Sequence, residues 1–133
     1  MNFRNYNFKY LTLLVFASIM ILSCKNENEA KPAVRFVNKI NFGKIKYGRK
    51  IIKTYNIKNV SKKKIVIYDI KSSCGCTVPK ISDSIILPNK IKKIDVEYNP
   101  KISDTGKVNQ TVVVKANTKP NFWVLYLEGE VIK

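Results

Sequence analysis

The chain contains no histidine. Its two methionines, Met1 and Met20, both stand ahead of Cys24. Without an imidazole, Ser–His and Cys–His nucleophilic chemistry is excluded, and the usual general base near neutral pH is missing. Beyond Met20, two common ligands of soft and borderline metals are absent as well. Cysteine is scarce, with only Cys24, Cys74 and Cys76. Cys74 and Cys76 are two residues apart, so the inter-sheet bridge of antibody domains cannot form from them. Carboxylates are few, with 9 Asp and Glu against 25 Lys and Arg. Beyond residue 33 no stretch shows a helical apolar period, and no phosphate-binding loop or nucleophile–base pair stands out.

What is present is charge of one sign. The net charge is +16, and subtracting Arg4 and Lys9, the charged residues before Cys24, leaves +14 on the rest. A balance this basic suits polyanionic partners such as nucleic acid, anionic lipid headgroups or acidic glycans. A bland explanation competes. Lys, Asn and Ile are all abundant, all have AT-rich codons, and the lysines are spread along the whole chain. A functional basic patch is normally clustered. No nucleic-acid partner is expected.

The first residues form a separate unit. Arg4 and Lys9 precede an apolar run from Leu11 to Leu22, followed by Ser23-Cys24. That is the layout of a secretory signal: a basic start, a short apolar stretch and a small residue before the cut. The run holds 12 residues, whereas a helix needs roughly 20 to cross a bilayer. Ile21-Leu22-Ser23-Cys24 resembles the bacterial lipobox, with Leu22 in place of the commoner Ala or Ser. The resemblance implies covalent lipid on Cys24 as the new N-terminus; no cofactor is expected beside that lipid. Several acyl chains on one residue anchor stably. Residues 1–23 then read as a lipoprotein signal peptide, 24–33 as a polar tether and 34–133 as the folded domain. The expected address is the cell envelope, on the outer membrane in preference to the inner, facing either the periplasm or the exterior.

From Val34 on, apolar residues alternate and turn residues cut the runs. Val34 to Val37 reads as a first strand. Asn41-Phe42-Gly43 and Tyr47-Gly48 read as turns around Lys44-Ile45-Lys46. Ile51, Tyr55 and Ile57 share a face, Asn59-Val60-Ser61-Lys62 is a turn, and Ile65 and Ile67 face the core ahead of a bend at Asp69. Ile85-Ile86-Leu87 leads to a Pro88-Asn89 turn. Ile94, Val96 and Tyr98 alternate with Lys93, Asp95 and Glu97, the clearest half-buried strand in the chain. Val108 to Val114 and Trp123 to Val131 give the last two inward sets. About seven such strands in 100 residues suggest an immunoglobulin-like antiparallel β-sandwich.

The order of motifs adds to this. Asn41-Phe42-Gly43-Lys44, Tyr55 to Asn59, Ile65 to Asp69, Ser73-Cys74-Gly75-Cys76-Thr77, Pro88-Asn89, Val96 to Pro100 and Leu125 to Gly129 follow one another. Together they resemble the bacterial domain-of-unknown-function family fifteen-seventy-three, an Ig-like domain of envelope lipoproteins. The resemblance covers nearly the whole chain beyond Cys24. It implies the sandwich and the envelope address, and it implies no activity. The family usually has Gly where this chain has Asn89, and Asn is the next best residue for a left-handed backbone.

Cys74-Gly75-Cys76 is the one chemically distinctive segment, and three readings stay open. In an oxidising envelope two neighbouring thiols tend to pair, and a ring over one residue would be strained and reducible. Two thiolates could hold a soft metal ion, but four N or S ligands are the usual complement. Reduced cysteines also serve simply as small buried apolar groups. Asp95 and Glu97 read as the solvated side of their strand. Lys62-Lys63-Lys64 reads as a protective hairpin tip, and Trp123 as core.

The expectation is a non-enzymatic binding or assembly module, held to a membrane by its lipid, with an envelope protein or glycan as partner. Its contact region is expected at Ser72, Ser73, Gly75 and Thr77. The alternatives are a thiol–disulfide protein using Cys74 and Cys76, or an electrostatic binder of anionic glycan or lipid.

Overall fold

The computed structural model describes residues 32–133. The signal peptide, Cys24 and the tether up to residue 31 lie outside the described residues. The remainder is built of strands and turns, with a single 3₁₀ turn at Ile102–Asp104.

Nine strands form two sheets. They are β1 (Val34–Arg35), β2 (Lys39–Lys46), β3 (Ile51–Asn59), β4 (Ile65–Ser72), β5 (Thr77–Ile81), β6 (Ile85–Ile86), β7 (Ile91–Tyr98), β8 (Gly106–Ala116) and β9 (Phe122–Ile132). One sheet runs β1-β3-β7-β5 and the other β2-β9-β8-β4-β6. The chain thus changes sheet between β1, antiparallel to β3, and β2, parallel to β9. The expected immunoglobulin-like sandwich is present. The extra strands come from this early switch and from the short β5 and β6.

Period-two alternation builds the core. Tyr55, Ile57, Ile94, Val96 and Tyr98 of the four-stranded sheet are all buried. They pack in one cluster with Ile65, Ile67, Val112, Val114, Leu125 and Leu127 of the other. Burying one such aliphatic side chain is worth roughly 1.5–3 kcal/mol. Trp123 is core, as expected, and its Nε1–H donates to Thr118 Oγ1 at 2.7 Å. The Tyr55 hydroxyl donates to the Tyr126 carbonyl at 2.7 Å. Burial, with the nearby Glu128 charge adding to it, pushes this phenol up to about 12.

Three expectations are revised. Asn41-Phe42-Gly43 is not a turn but an irregularity within β2, where the register with β9 shifts between Asn41 and Lys44. The Asn41 Oδ1 accepts the Gly43 N–H at 2.7 Å, and Gly43 takes a left-handed φ of 77°. This turns Phe42 inward over Gly129, where an added methyl group would overlap the ring. The first strand ends at Arg35, short of Val37. Thr77–Ile81 is a strand that the sequence reading passed over. Pro79 argues against a central strand, but β5 lies at a sheet edge, where a missing N–H is tolerated. The bend at Asp69 is present as a register shift after Ile67, and Asn89 holds its turn with φ 60°.

Candidate functional site

The Cys-Gly-Cys segment is the crossover between the two sheets. β4 ends at Ser72 in one sheet and β5 begins at Thr77 in the other, so residues 73–76 bridge the end of the sandwich. The segment is a turn and not an extended strand. The Thr77 N–H donates to the Cys74 carbonyl at 3.3 Å.

Both ends of the turn are pinned. Ser73 bonds to β8 three times: its N–H donates to the Thr111 carbonyl at 2.9 Å, its hydroxyl accepts the Thr111 N–H at 3.1 Å, and the same hydroxyl donates to Gln110 Oε1 at 3.1 Å. The Ser72 hydroxyl donates to the Cys74 carbonyl at 2.9 Å. On the other sheet, the Cys76 carbonyl accepts the Asn99 N–H at 2.9 Å. Cys74 and Cys76 are joined by a disulfide, with Cα atoms 5.3 Å apart. Cys76 packs against the core cluster. The Cys76 N–H donates to the Cys74 sulfur at 3.2 Å, and the Thr77 hydroxyl lies 3.6 Å from that sulfur.

The residues expected to form a contact loop therefore divide. Thr77 is buried and its hydroxyl faces the sulfurs. Ser72 is half-buried, whereas Ser73 and Gly75 are exposed. Gly75 is the informative one. Its backbone is not left-handed, and a methyl group there would meet nothing within 4 Å. The fold does not require glycine at that point, yet glycine leaves the crest of the turn bare.

Beside this turn stands the Asn99–Thr105 connection. Tyr98 is buried, and its hydroxyl donates to Asp104 Oδ2 at 3.1 Å. Burial first, then the Asp104 charge, holds this phenol protonated far above its ordinary range. The Asp104 carboxylate also accepts the Lys101 N–H at 2.9 Å, so it closes the connection. Asp95 and Glu97 are solvated, as read from the sequence. Asp95 accepts the Thr54 hydroxyl at 2.6 Å, and Glu97 pairs with Lys80 at 3.0 Å and Lys50 at 3.3 Å.

A separate depression of about 500 Å³ lies at the β2 irregularity, with Lys44, Lys107, Asn109, Glu128 and Glu130 among its lining. Its carboxylates are already paired, Glu128 with Lys39 at 2.9 Å and Glu130 with Lys44 at 3.1 Å. Among the described residues no three His, Cys, Asp or Glu side chains come together as a metal site.

The residue that sequence reasoning missed is Asn59. Its residue type and neighbours point to a turn, but it is the last residue of β3 and wholly buried. Its Nδ2 donates to the carbonyls of Lys63 at 2.8 Å and Ile86 at 2.9 Å, and its Oδ1 accepts from the Ser61 N–H and hydroxyl at 2.9 and 2.7 Å. The Asn-x-Ser spacing hints at the local half of this network, since Asn side chains bond their own backbone two residues on. The bond to Ile86 has no local signal.

Comparison with known proteins agrees with the fold. The model of a family described as Protein of unknown function (DUF1573) matches residues 35–131. No curated protein matches the chain in sequence. A Porphyromonas gingivalis W83 protein of unknown function superposes with a TM-score of 0.68 at 10% identity, over 74% of this chain and 46% of that one. The PapD-like domain 7 of human CEP192 superposes with a TM-score of 0.58 at 14% identity, over 78% and 87%. The VesB protease of Vibrio cholerae does so at 0.59 and 8% identity, over 89% of this chain but 35% of that one. At such identities the likeness is one of fold, and the protease match lends no activity to this chain.

Proposed function

With residues 35–131 matching the family model, the chain belongs to the family Protein of unknown function (DUF1573), and from that premise we propose a non-enzymatic binding module of the cell envelope, tethered to the outer membrane by lipid on Cys24. Its partner is an envelope protein or glycan, met by the turn around Gly75.

The observation that carries this reading is the bare crest of that turn. Gly75 is exposed in a place where a larger residue would fit. The turn beneath it is fixed by the disulfide, by Ser73 on β8 and by the bond from Asn99, just past β7, to the Cys76 carbonyl. A rigid, exposed turn loses little entropy on binding. The sandwich needs no help from glycine there, so a contact surface is a reason for its being bare. The absence of histidine from the chain removes the commonest general base and favours binding over catalysis.

The test has two parts. Intact-mass measurement on protein from the envelope is expected to show cleavage before Cys24 and a lipid adduct on it. Affinity capture from envelope extract is then compared between the native chain and Gly75→Arg, which the open space accommodates. Loss of one partner with unchanged circular dichroism supports the reading. An identical captured set contradicts the turn as contact.

A second reading is favoured by one observation, the Cys76 N–H and Thr77 hydroxyl at the Cys74 sulfur. On reduction, two electrons and two protons from an external dithiol would open the disulfide, leaving that dithiol oxidised. Both donors would then stabilise a Cys74 thiolate. Thiol-alkylation mass spectrometry on protein taken directly from the envelope separates the readings. A mixed, reversible population supports redox chemistry, and a uniformly closed bridge leaves it a staple.

A further inference from the structure

The end of the sandwich opposite the disulfide carries its own chemistry. Ala33 reaches the domain there, its carbonyl accepting the Val60 N–H at 3.1 Å, and Val34 pairs with Asn59. Three connections make up this end: residues 60–64, 87–90 and 117–121. They interlock, with the Asn117 side chain bonding the Val66 N–H and the Lys64 carbonyl, and the Asn59 N–H donating to the Lys90 carbonyl.

None of these three connections contains a carboxylate. Besides the half-buried Lys63 they carry Lys62, Lys64, Lys90 and Lys119, all exposed. None of these four pairs with a carboxylate among the described residues. Nearby stand four large apolar side chains in solvent: Val60, Leu87, Ile91 and Phe122, at 42%, 56%, 58% and 55% exposure. At the opposite end Lys50 pairs with Glu97 and Lys44 with Glu130, and Asp104 stands in the connection beside the turn, whereas Lys46, Arg49 and Lys101 pair with no carboxylate among the described residues. The difference between the ends is the acids set among the lysines at one and missing from the connections of the other.

Apolar side chains among unpaired lysines, at the end where the chain leaves toward its N-terminus, match a surface that is apolar below and anionic above. We infer that this end docks on an anionic lipid bilayer. The lysines meet the headgroups while Phe122, Leu87, Ile91 and Val60 reach the interface beneath, as amphipathic groups do. Each lysine at an anionic surface is worth roughly a fivefold factor in partition. A second copy of the chain is a poor occupant, since it would bring like charge to the same lysines. The inference extends the proposed lipid tether: the anchor holds the protein at the membrane, and this end orients it with the Gly75 turn facing away.

The test uses the full chain purified from membranes and mixed with vesicles of phosphatidylcholine alone or with added phosphatidylglycerol. Flotation with neutral vesicles reports the lipid anchor. Hydroxyl-radical footprinting of the vesicle-bound protein reports the docking. The expected result is strong protection of Phe122, Leu87 and Ile91 on anionic vesicles only. It should fade as salt is raised and vanish in the Lys62→Glu/Lys64→Glu/Lys119→Glu variant, while Tyr47 and Ile102 at the other end stay reactive. If the chain fails to float with neutral vesicles, the anchor reading falls, and flotation with anionic vesicles alone still supports docking. Equal reactivity of these residues on both vesicles overturns the inference. So does a footprint at the opposite end. Protection of this end by soluble dextran sulfate but not by anionic vesicles also overturns it and assigns the end to an acidic glycan.

Discussion

The two ends of the sandwich solve the same problem by different means. Each must carry the chain from one sheet to the other without leaving buried polar backbone unpaired. At the end where the domain begins, a buried amide does this. Asn59 gathers its own connection and the Ile86 carbonyl into one network. At the other end a disulfide closes the turn on itself, and Ser73 and Cys76 fasten it to the two sheets. The amide is deep in the fold, and its loss strands several partners. The disulfide closes a ring over one residue near the surface, so it constrains little chain. The cheaper end to alter is thus the one proposed to meet the envelope partner.

The sharpest way to break this comparison is Asn59→Ala. It removes the amide's bonds to the Lys63 and Ile86 carbonyls and takes the acceptor from the Ser61 N–H, leaving Lys63 only the Ser61 hydroxyl, and about 3 kcal/mol of stability should go. Urea denaturation checks it. A loss below about 1 kcal/mol would mean that water replaces the amide. Next comes Thr118→Val at the same end, which strands the buried Trp123 indole N–H. The expected loss is about 1.5 kcal/mol, with a changed tryptophan fluorescence.

At the other end, the double variant Cys74→Ser/Cys76→Ser should cost only about 1 kcal/mol, because loop-closure entropy over so short a ring is small. Denaturation of the two variants side by side tests the contrast. A larger loss from the cysteines than from Asn59 would reverse it. The smallest effect is electrostatic. Hydrogen bonds from Lys80 first, then Lys50, hold the half-buried Glu97 carboxyl below the ordinary carboxylate range. Its contribution is therefore present above that range and fades as pH falls through the lowered value. Lys80→Ala should move the Glu97 titration upward, read by NMR.

These contrasts also explain what the sequence made legible. The alternation of Ile94, Val96 and Tyr98 needs no partner to be recognised, since burial on one face writes it directly. Trp123 and the Asp69 bend were readable in the same local way. Asn41-Phe42-Gly43 looks like a turn because its residue types are those of a turn. Only the parallel pairing with β9 makes it a bulge that sends Phe42 onto Gly129. Pro79 disguised β5, since the rule against proline in strands lapses at an edge and the edge is set by topology. The Cys-Gly-Cys turn was visible as chemistry. Its position between the sheets, and the buried state of Thr77 beside it, were not. Asn59 was least legible of all, because the Ile86 carbonyl it binds lies 27 residues away.

The most direct test of the account places a photo-crosslinking residue at Gly75 in one chain and at Val60 in another, each in its own cell envelope. The account predicts that position 75 traps one defined protein or glycan, while position 60 traps lipid. A defined partner caught from position 60 and nothing caught from position 75 would contradict it.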